Sequence, residues 1–426
     1  MKLFNIKNIP LTIVVGFNLF TLILFYTAPI KWATNNLLLF FFFSITCQLM
    51  IMFGYTRGFK KSLRTKLRST TLSSFSVSKI NFVFYFYSLT FLIKYAYYLK
   101  FNVLDIGGMF SYLMIGIADP ELGYNLAIYD TRAFTIPWSV YFLISIVNQV
   151  VFIIGIINWK RLNGIKKTVF IFFVIVEVFF WMGQGTNFGV IRLITTAAFC
   201  SIYWLKSINL NFKNSLRYSF VILLLLSLSI YVFSYNMNSR SGNIKLDFQT
   251  FNLGASKVNE ESAILEIMPQ GFQQTYMFMI SYITQGYYHT CLAFDLDFKS
   301  TYFLGNNPAI ISLAEIFDIN VWKDTYMYRL QTKGVDPLIK WHSAYMWYAS
   351  DISFFGVPFL MYFLGYIFGF SWALTLRKYD FLSNILFVII GNMLLFLFAN
   401  NSYLSSVFYS FMFILPFWYF TRVKKI

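Results

Sequence analysis

Ten apolar runs divide this chain of 426 residues, each near the roughly 20 residues that a helix needs to cross the hydrocarbon of a bilayer. They lie at about 10–27, 34–54, 80–98, 137–158, 168–185, 187–205, 218–235, 346–370, 381–399 and 402–420. In lipid every backbone N–H and C=O must find its partner within the protein, which a helix achieves in each segment and an open strand does not. The pattern therefore predicts an all-α polytopic integral membrane protein. Composition agrees, because 58% hydrophobic and 12% charged residues cannot be folded as a soluble domain without exposing most of the apolar surface. The first run follows Lys2 and Lys7 as in a signal peptide, but it is long and lacks a small-residue cleavage site, and it reads as an uncleaved helix.

The formal charge of +17 invites a reading as a nucleic-acid or acidic-substrate binder, and its distribution argues against that. With the N-terminus inside, the cytoplasmic pieces carry 21 of the 34 lysines and arginines against a single acidic residue, Asp380. So strong an asymmetry in short loops is the positive-inside pattern, and it predicts both termini in the cytoplasm. The excess charge is then a topology signal with some attraction to anionic membrane lipids, and no nucleic-acid partner is expected. Cys47, Cys200 and Cys291 are too few and too scattered for a disulfide framework. No GxxxxGK[ST], HExxH or Cys/His cluster occurs, so neither a nucleotide motor, a metal nor a cofactor is predicted.

Between the seventh and eighth runs lies one polar stretch, 236–341, with eight basic and ten acidic residues, which the topology places outside. Three regions follow: 1–235 with seven helices, the large external loop 236–341, and 342–426 with three helices. Within the loop, 271–295 is apolar and aromatic but interrupted by Gln273, Gln274, Gln285 and Gly286, and it reads as an amphipathic interfacial or re-entrant helix. If it and the stretch around 309–317 both crossed, the helices would number twelve, with the ends still inside. A shorter outer loop, about 99–136, carries Asp105, Asp119, Glu121, Asp130 and Arg132.

The two histidines fall at the loop. His342 stands where the loop enters a membrane helix, and a neutral imidazole there can take the proton of a hydroxyl nucleophile; the alternative is a histidine hydrogen-bonded at a helix start. His289, beside Tyr287 and Tyr288, is a second candidate base. Asp351, nine residues past His342, needs a partner near the membrane edge, either a base to orient, sugar hydroxyls or a basic loop residue. Arg192 is the only arginine inside an apolar run, suited to a phosphate fork or to an ion pair with Glu177 on the preceding helix. Arg240, followed by Ser241 and Gly242, lies just outside the seventh run, where a guanidinium can clamp a pyrophosphate or salt-bridge lipid. Lys94 reads as snorkelling toward the surface. In the loop, Arg329 and Lys333 are candidate sugar or phosphate ligands, with Trp322, Tyr326 and Tyr328 as stacking faces.

This arrangement resembles the O-antigen polymerase (Wzy) family and its wider group, the O-antigen ligases. The layout is similar along the whole chain. Locally, His342-Ser343-Ala344-Tyr345 followed by Phe355-Gly356-Val357-Pro358 and Gly365, the glycine-rich turn and arginine of 183–192, and Arg240 after the helix preceding the large loop all look like the family's pattern. The resemblance implies a GT-C-like, metal-independent membrane glycosyltransferase in a bacterial inner membrane. Its donor would be a growing glycan on undecaprenyl pyrophosphate and its acceptor one lipid-linked repeat unit, with a chain-length regulator and a flippase as pathway partners. It implies His342 as general base, Arg240 and Arg192 on the pyrophosphate, and Asp351 orienting His342 or the acceptor. Arg329, Lys333, Arg132, Tyr345 and His289 would line the sugar groove. A ligase would share nearly every role. A flippase would need polarity spread over many helices, and a structural scaffold would tolerate loss of Arg240 and His342.

Overall fold

The computed structural model describes residues 6–65, 77–129, 138–205, 227, 230–240, 254–306, 308–337, 340, 342–377, 380–399 and 405–422. The elements are α1 (Ile9–Thr27), β1 (Ile30–Lys31), α2 (Leu37–Arg64), α3 (Val77–Leu99), α4 (Ile106–Ala118), α5 (Pro120–Tyr129), α6 (Trp138–Ile157), α7 (Gly164–Gly183) and α8 (Phe188–Leu205). They continue with α9 (230–240), β2 (Lys257–Val258), α10 (Ala263–Ile267), α11 (Gln270–Ala293), α12 (Pro308–Glu315), α13 (Tyr326–Arg329), α14 (Ala344–Arg377), α15 (Phe381–Leu395) and α16 (Ser405–Arg422). The described parts of the apolar runs are therefore largely helical, and the run at 218–235 lies mostly outside the described residues. Among the described residues, α1, α2 and α14 are long and apolar enough to cross a membrane.

Packing groups these elements into two compact units. Met1–Lys66, Lys245–Leu374 and Met393–Phe408 form the first; Leu67–Ile244, Thr375–Asn392 and Tyr409–Ile426 form the second. Both units are discontinuous in sequence, and in the first the polar stretch shows why. Thr21 and Tyr287 share a hydroxyl hydrogen bond of 2.9 Å, Trp32 stacks on Tyr288, and Asn36 donates to the Cys291 carbonyl at 3.0 Å and to Asp295 at 2.7 Å. β1 pairs antiparallel with β2 through Ile30 and Val258. The stretch is therefore built onto α1 and α2. Its expected amphipathic helix is α11, but residues 284–293 are buried all round, so this half of the helix has no wet face.

The first unit contains a close helix crossing that needs glycine. A Cβ on Gly54 or Gly58 of α2 would lie 2.0 Å or 1.9 Å from the carbonyl oxygens of Tyr362 or Tyr366. On α14, a Cβ on Gly365 or Gly369 would lie 2.4 Å or 2.1 Å from those of Ile51 or Tyr55. Two GxxxG stripes thus face each other, and with no hydrophobic effect between helices in lipid this backbone contact supplies dispersion instead. α14 is broken near its start by Ser353, at φ 60° and ψ 167°. Pro358 then removes the N–H that would have bonded the Phe354 carbonyl, so the lower helix starts afresh past the break.

In the second unit, α3 packs on α6, α6 on α8, and α7 on α8. The outer loop read at 99–136 holds the hairpin α4–α5. Asp105 caps α4 by accepting from Gly108 N at 2.9 Å, and Asp119 caps α5 by accepting from Glu121 and Leu122 N–H at 3.1 Å each. The hairpin seats on the glycine turn after α7, where a Cβ on Gly116 would meet the Gly183 carbonyl at 1.8 Å. Gly185, at φ 60°, could take no side chain because the Pro120 carbonyl would lie 2.1 Å from its Cβ. Asp380 caps α15 by accepting from Ser383 N at 2.8 Å.

Candidate functional site

His342 belongs to the first unit, in the short connection that leads into α14. Gly286 of α11 touches it from one side, since a Cβ there would meet Ser343 N at 2.9 Å, the His342 carbonyl carbon at 3.1 Å and the Phe398 carbonyl oxygen at 2.3 Å. Ala344 N donates to the Leu397 carbonyl at 3.0 Å, and Thr290, one turn along α11 from Gly286, shares a hydroxyl hydrogen bond of 2.6 Å with Ser343. The imidazole held in this clamp is 0% exposed, and neither ring nitrogen has a hydrogen-bond partner among the described residues. His289 lies with its ring centroid 5.6 Å away. Burial drives the pKa of His342 well below the ordinary histidine value, with the neighbouring His289 adding to it. The ring is therefore neutral and uncommitted, which differs from the alternative of a histidine hydrogen-bonded at a helix start.

Asp351 is engaged elsewhere. Its carboxylate accepts from the Thr301 hydroxyl, from Gly305 N at 2.9 Å and from the Asn306 side-chain amide, so it holds the turn 301–306 and takes no bond from His342. Within that turn Leu304 N donates to the Thr301 carbonyl at 2.9 Å, with Tyr302 at φ 54° and Phe303 at φ 65°. Two consecutive non-glycine residues in the left-handed region cost about 1–2 kcal/mol each, and the Asp351 clamp holds them there. The carboxylate expected to orient His342 or the acceptor is here met by three loop donors. Tyr345 is buried, receives the Gln48 amide at 3.2 Å and sets its ring edge-on to Phe43, which makes it part of the packing beneath the site.

The basic loop residues are likewise paired. Arg329 donates to the Asp297 carbonyl, and Lys333 meets Asp295 at 3.3 Å with both side chains more than a third exposed. Such an exposed pair contributes little to stability and can exchange its partner for a ligand. Trp322 packs beside Trp347, whose indole N–H is buried without a partner among the described residues, as is the Tyr348 hydroxyl. Trp347 and Tyr348 went unread in the sequence, although they fall within six residues of His342. Arg132 lies outside the described residues.

Arg192 and Arg240 belong to the second unit. Glu177, fully buried on α7, accepts four hydrogen bonds: from Arg192 and the Trp181 indole on Oε1, at 2.9 Å each, and from Lys94 and the Tyr95 hydroxyl on Oε2, the latter at 3.0 Å. The ion pair with Glu177 is therefore the role that the structure gives Arg192. Lys94 does not snorkel; it is 3% exposed and shares the same carboxylate, because α3 and α7 bring the two together in the interior. At the end of α9, the Arg240 guanidinium lies 3.4 Å from the centroid of the Tyr124 ring on α5, a face-on cation–π stack. Tyr124 is the partner that sequence reading missed, since nothing local ties residue 124 to residue 240. Beside it, the Asn236 amide donates to Asn187 at 2.8 Å.

Among the described residues no three His, Cys, Asp or Glu side chains gather to hold a metal ion, and the three cysteines are buried and unbridged. What the first unit offers chemically is a neutral base, His342, with no hydrogen-bond partner among the described residues. The second unit offers a stacked guanidinium. Comparison with known proteins adds no assignment, since no family model, no curated protein and no solved structure matches this chain.

Proposed function

We propose that this chain is a membrane-embedded glycosyltransferase that polymerises undecaprenyl-pyrophosphate-linked repeat units of O-antigen or a similar surface polysaccharide. The observation that carries the reading is His342. A buried imidazole with neither nitrogen partnered among the described residues is costly to the fold, and a sugar hydroxyl supplies the missing partner at the atom that takes its proton. The acceptor's non-reducing hydroxyl loses its proton to His342 as its oxygen attacks the anomeric carbon of the donor glycan. The bond from that carbon to the pyrophosphate oxygen breaks, and undecaprenyl pyrophosphate leaves with its charge. A positioned general base contributes about 10²–10⁴ in rate. Within the second unit, taken by itself, Arg240 is the residue assigned to a lipid-linked pyrophosphate, its guanidinium stacked on the Tyr124 ring. Because His342 is fully buried, the segment around it must open to admit the acceptor. Arg329 and Lys333, on the same unit, are the groups assigned to the glycan.

The test is the glycan profile of cells lacking the chain and of cells carrying His342→Ala at unchanged protein level. Lipid-linked glycan that stops at one repeat unit supports the proposal. A full ladder in both strains overturns it, and accumulation of long unattached polymer in the deletion replaces it with a ligase.

A further inference from the structure

The Thr301 to Leu304 turn combines strain with exposure in a way that the proposed chemistry does not use. Left-handed backbone at Tyr302 and Phe303 is unfavourable, yet their side chains are 77% and 70% exposed, so no burial within the protein offsets it. The turn is nevertheless fixed. Thr301 is fully buried, its hydroxyl within hydrogen-bond reach of both the Asp351 carboxylate and, at 2.8 Å, the Ser350 carbonyl, and Gly305 N and Asn306 complete the clamp. A Cβ on Gly305 would lie 2.3 Å from the Thr301 hydroxyl, so the turn closes tightly on itself. The result is a rigid finger with two aromatic rings at its tip.

The place of the finger says what those rings meet. Asp351 anchors it near the start of α14, four residues before Phe355. Phe355, Phe359 and Phe363 follow at helical spacing and are all exposed, forming one apolar stripe on a helix long enough to cross a membrane. The clamp therefore ties the finger to the segment just before the upper end of that stripe, across the break at Ser353. Aromatic side chains gather at this depth, where an apolar ring and a polar tip such as the Tyr302 hydroxyl are both accommodated. We propose that Tyr302 and Phe303 are a membrane-interface anchor whose partner is the headgroup–acyl boundary of the bilayer, and that Asp351 is its positioning residue. The anchor rests on the membrane placement of α14 and is independent of the transfer chemistry.

The native cysteines are buried, so single cysteines at exposed positions can be labelled selectively. Nitroxide labels on Tyr302→Cys, Phe303→Cys, Phe355→Cys and Lys299→Cys, in the full chain in lipid nanodiscs, are read by power saturation with oxygen and with a nickel chelate. Oxygen should dominate at positions 302 and 303, several-fold over position 299, with a shallower depth than position 355. Adding Asp351→Ala, or the milder Asp351→Asn, should increase label motion at position 303. Water-like collision at positions 302 and 303 with lipid-like collision at 355 overturns the anchor alone. Water-like collision at 355 overturns the membrane placement of α14 and the anchor with it. Shielding of positions 302 and 303 by soluble oligosaccharide, with no lipid signal, overturns the anchor in favour of a sugar platform.

Discussion

Replacing Glu177 with alanine should unfold the second unit more readily than any other single change to its polar interior. The carboxylate is fully buried and is the acceptor for Lys94, Tyr95, Trp181 and Arg192 at once. Removing it leaves two buried cations facing each other without a counter-charge, and loss of one partner from a buried pair costs about 3–5 kcal/mol. Against a typical total stability of about 5–15 kcal/mol this is a large fraction, and at about 2–4 °C per kcal/mol it lowers Tm by roughly 6–20 °C. The assay is fluorescence-detected gel filtration after heating, with steric trapping in bicelles for an equilibrium value. Lys94→Met with Glu177→Gln and Arg192→Met should recover most of the loss, since a well-packed apolar replacement of a buried ion cluster is often neutral or stabilising. A Glu177→Ala protein within about 1 kcal/mol of wild type would refute the reasoning, because two stranded buried cations cannot be that cheap.

Three further outcomes follow from the geometry. Gly58→Leu places side-chain atoms where a Cβ already lies 1.9 Å from the Tyr366 carbonyl, so it should destabilise the first unit by about 1–3 kcal/mol or more, read by the same gel-filtration assay. His342 has its folded-state pKa below its unfolded value, so the stability gained by keeping it neutral is full above pH ~6.5 and is lost as pH falls, by up to about 1.4 kcal/mol per unit; His342→Gln should flatten the slope of Tm between pH 5 and 7. Tyr124→Leu should weaken donor use several-fold while Tyr124→Phe restores it, measured as the ratio of transfer rates at sub-saturating donor, since a half-buried cation–π stack is worth about 0.5–2 kcal/mol.

The helices were legible because hydropathy over about 20 residues is a strong signal, and α1, α2 and α14 return near the positions read for them. The hairpin α4–α5 was not, since α4 spans only 13 residues between Asp105 and Asp119 and falls short of a spanning run. The GxxxG stripes at Gly54–Gly58 and Gly365–Gly369 were in plain view as spacing, but only the structure shows that they face each other. Among candidate residues, depth along a helix foretold the pairing of Arg192 with Glu177, while Lys94 required knowing that α3 lies beside α7. The sequence shows that Asp351 needs a partner, a base, sugar hydroxyls or a basic loop residue, but not that its carboxylate meets donors about fifty residues earlier. Contacts at such separation leave no local mark on the sequence.

The central claim is that this chain joins lipid-linked repeat units with His342 as the base. The most direct measurement incubates the purified protein in liposomes with undecaprenyl-pyrophosphate-linked repeat units alone and follows chain length by gel. The account predicts a ladder from the wild-type protein, with undecaprenyl pyrophosphate released in step, and only the single unit from His342→Ala folded to the same Tm. No ladder from wild type, or an undiminished ladder from His342→Ala, would contradict it.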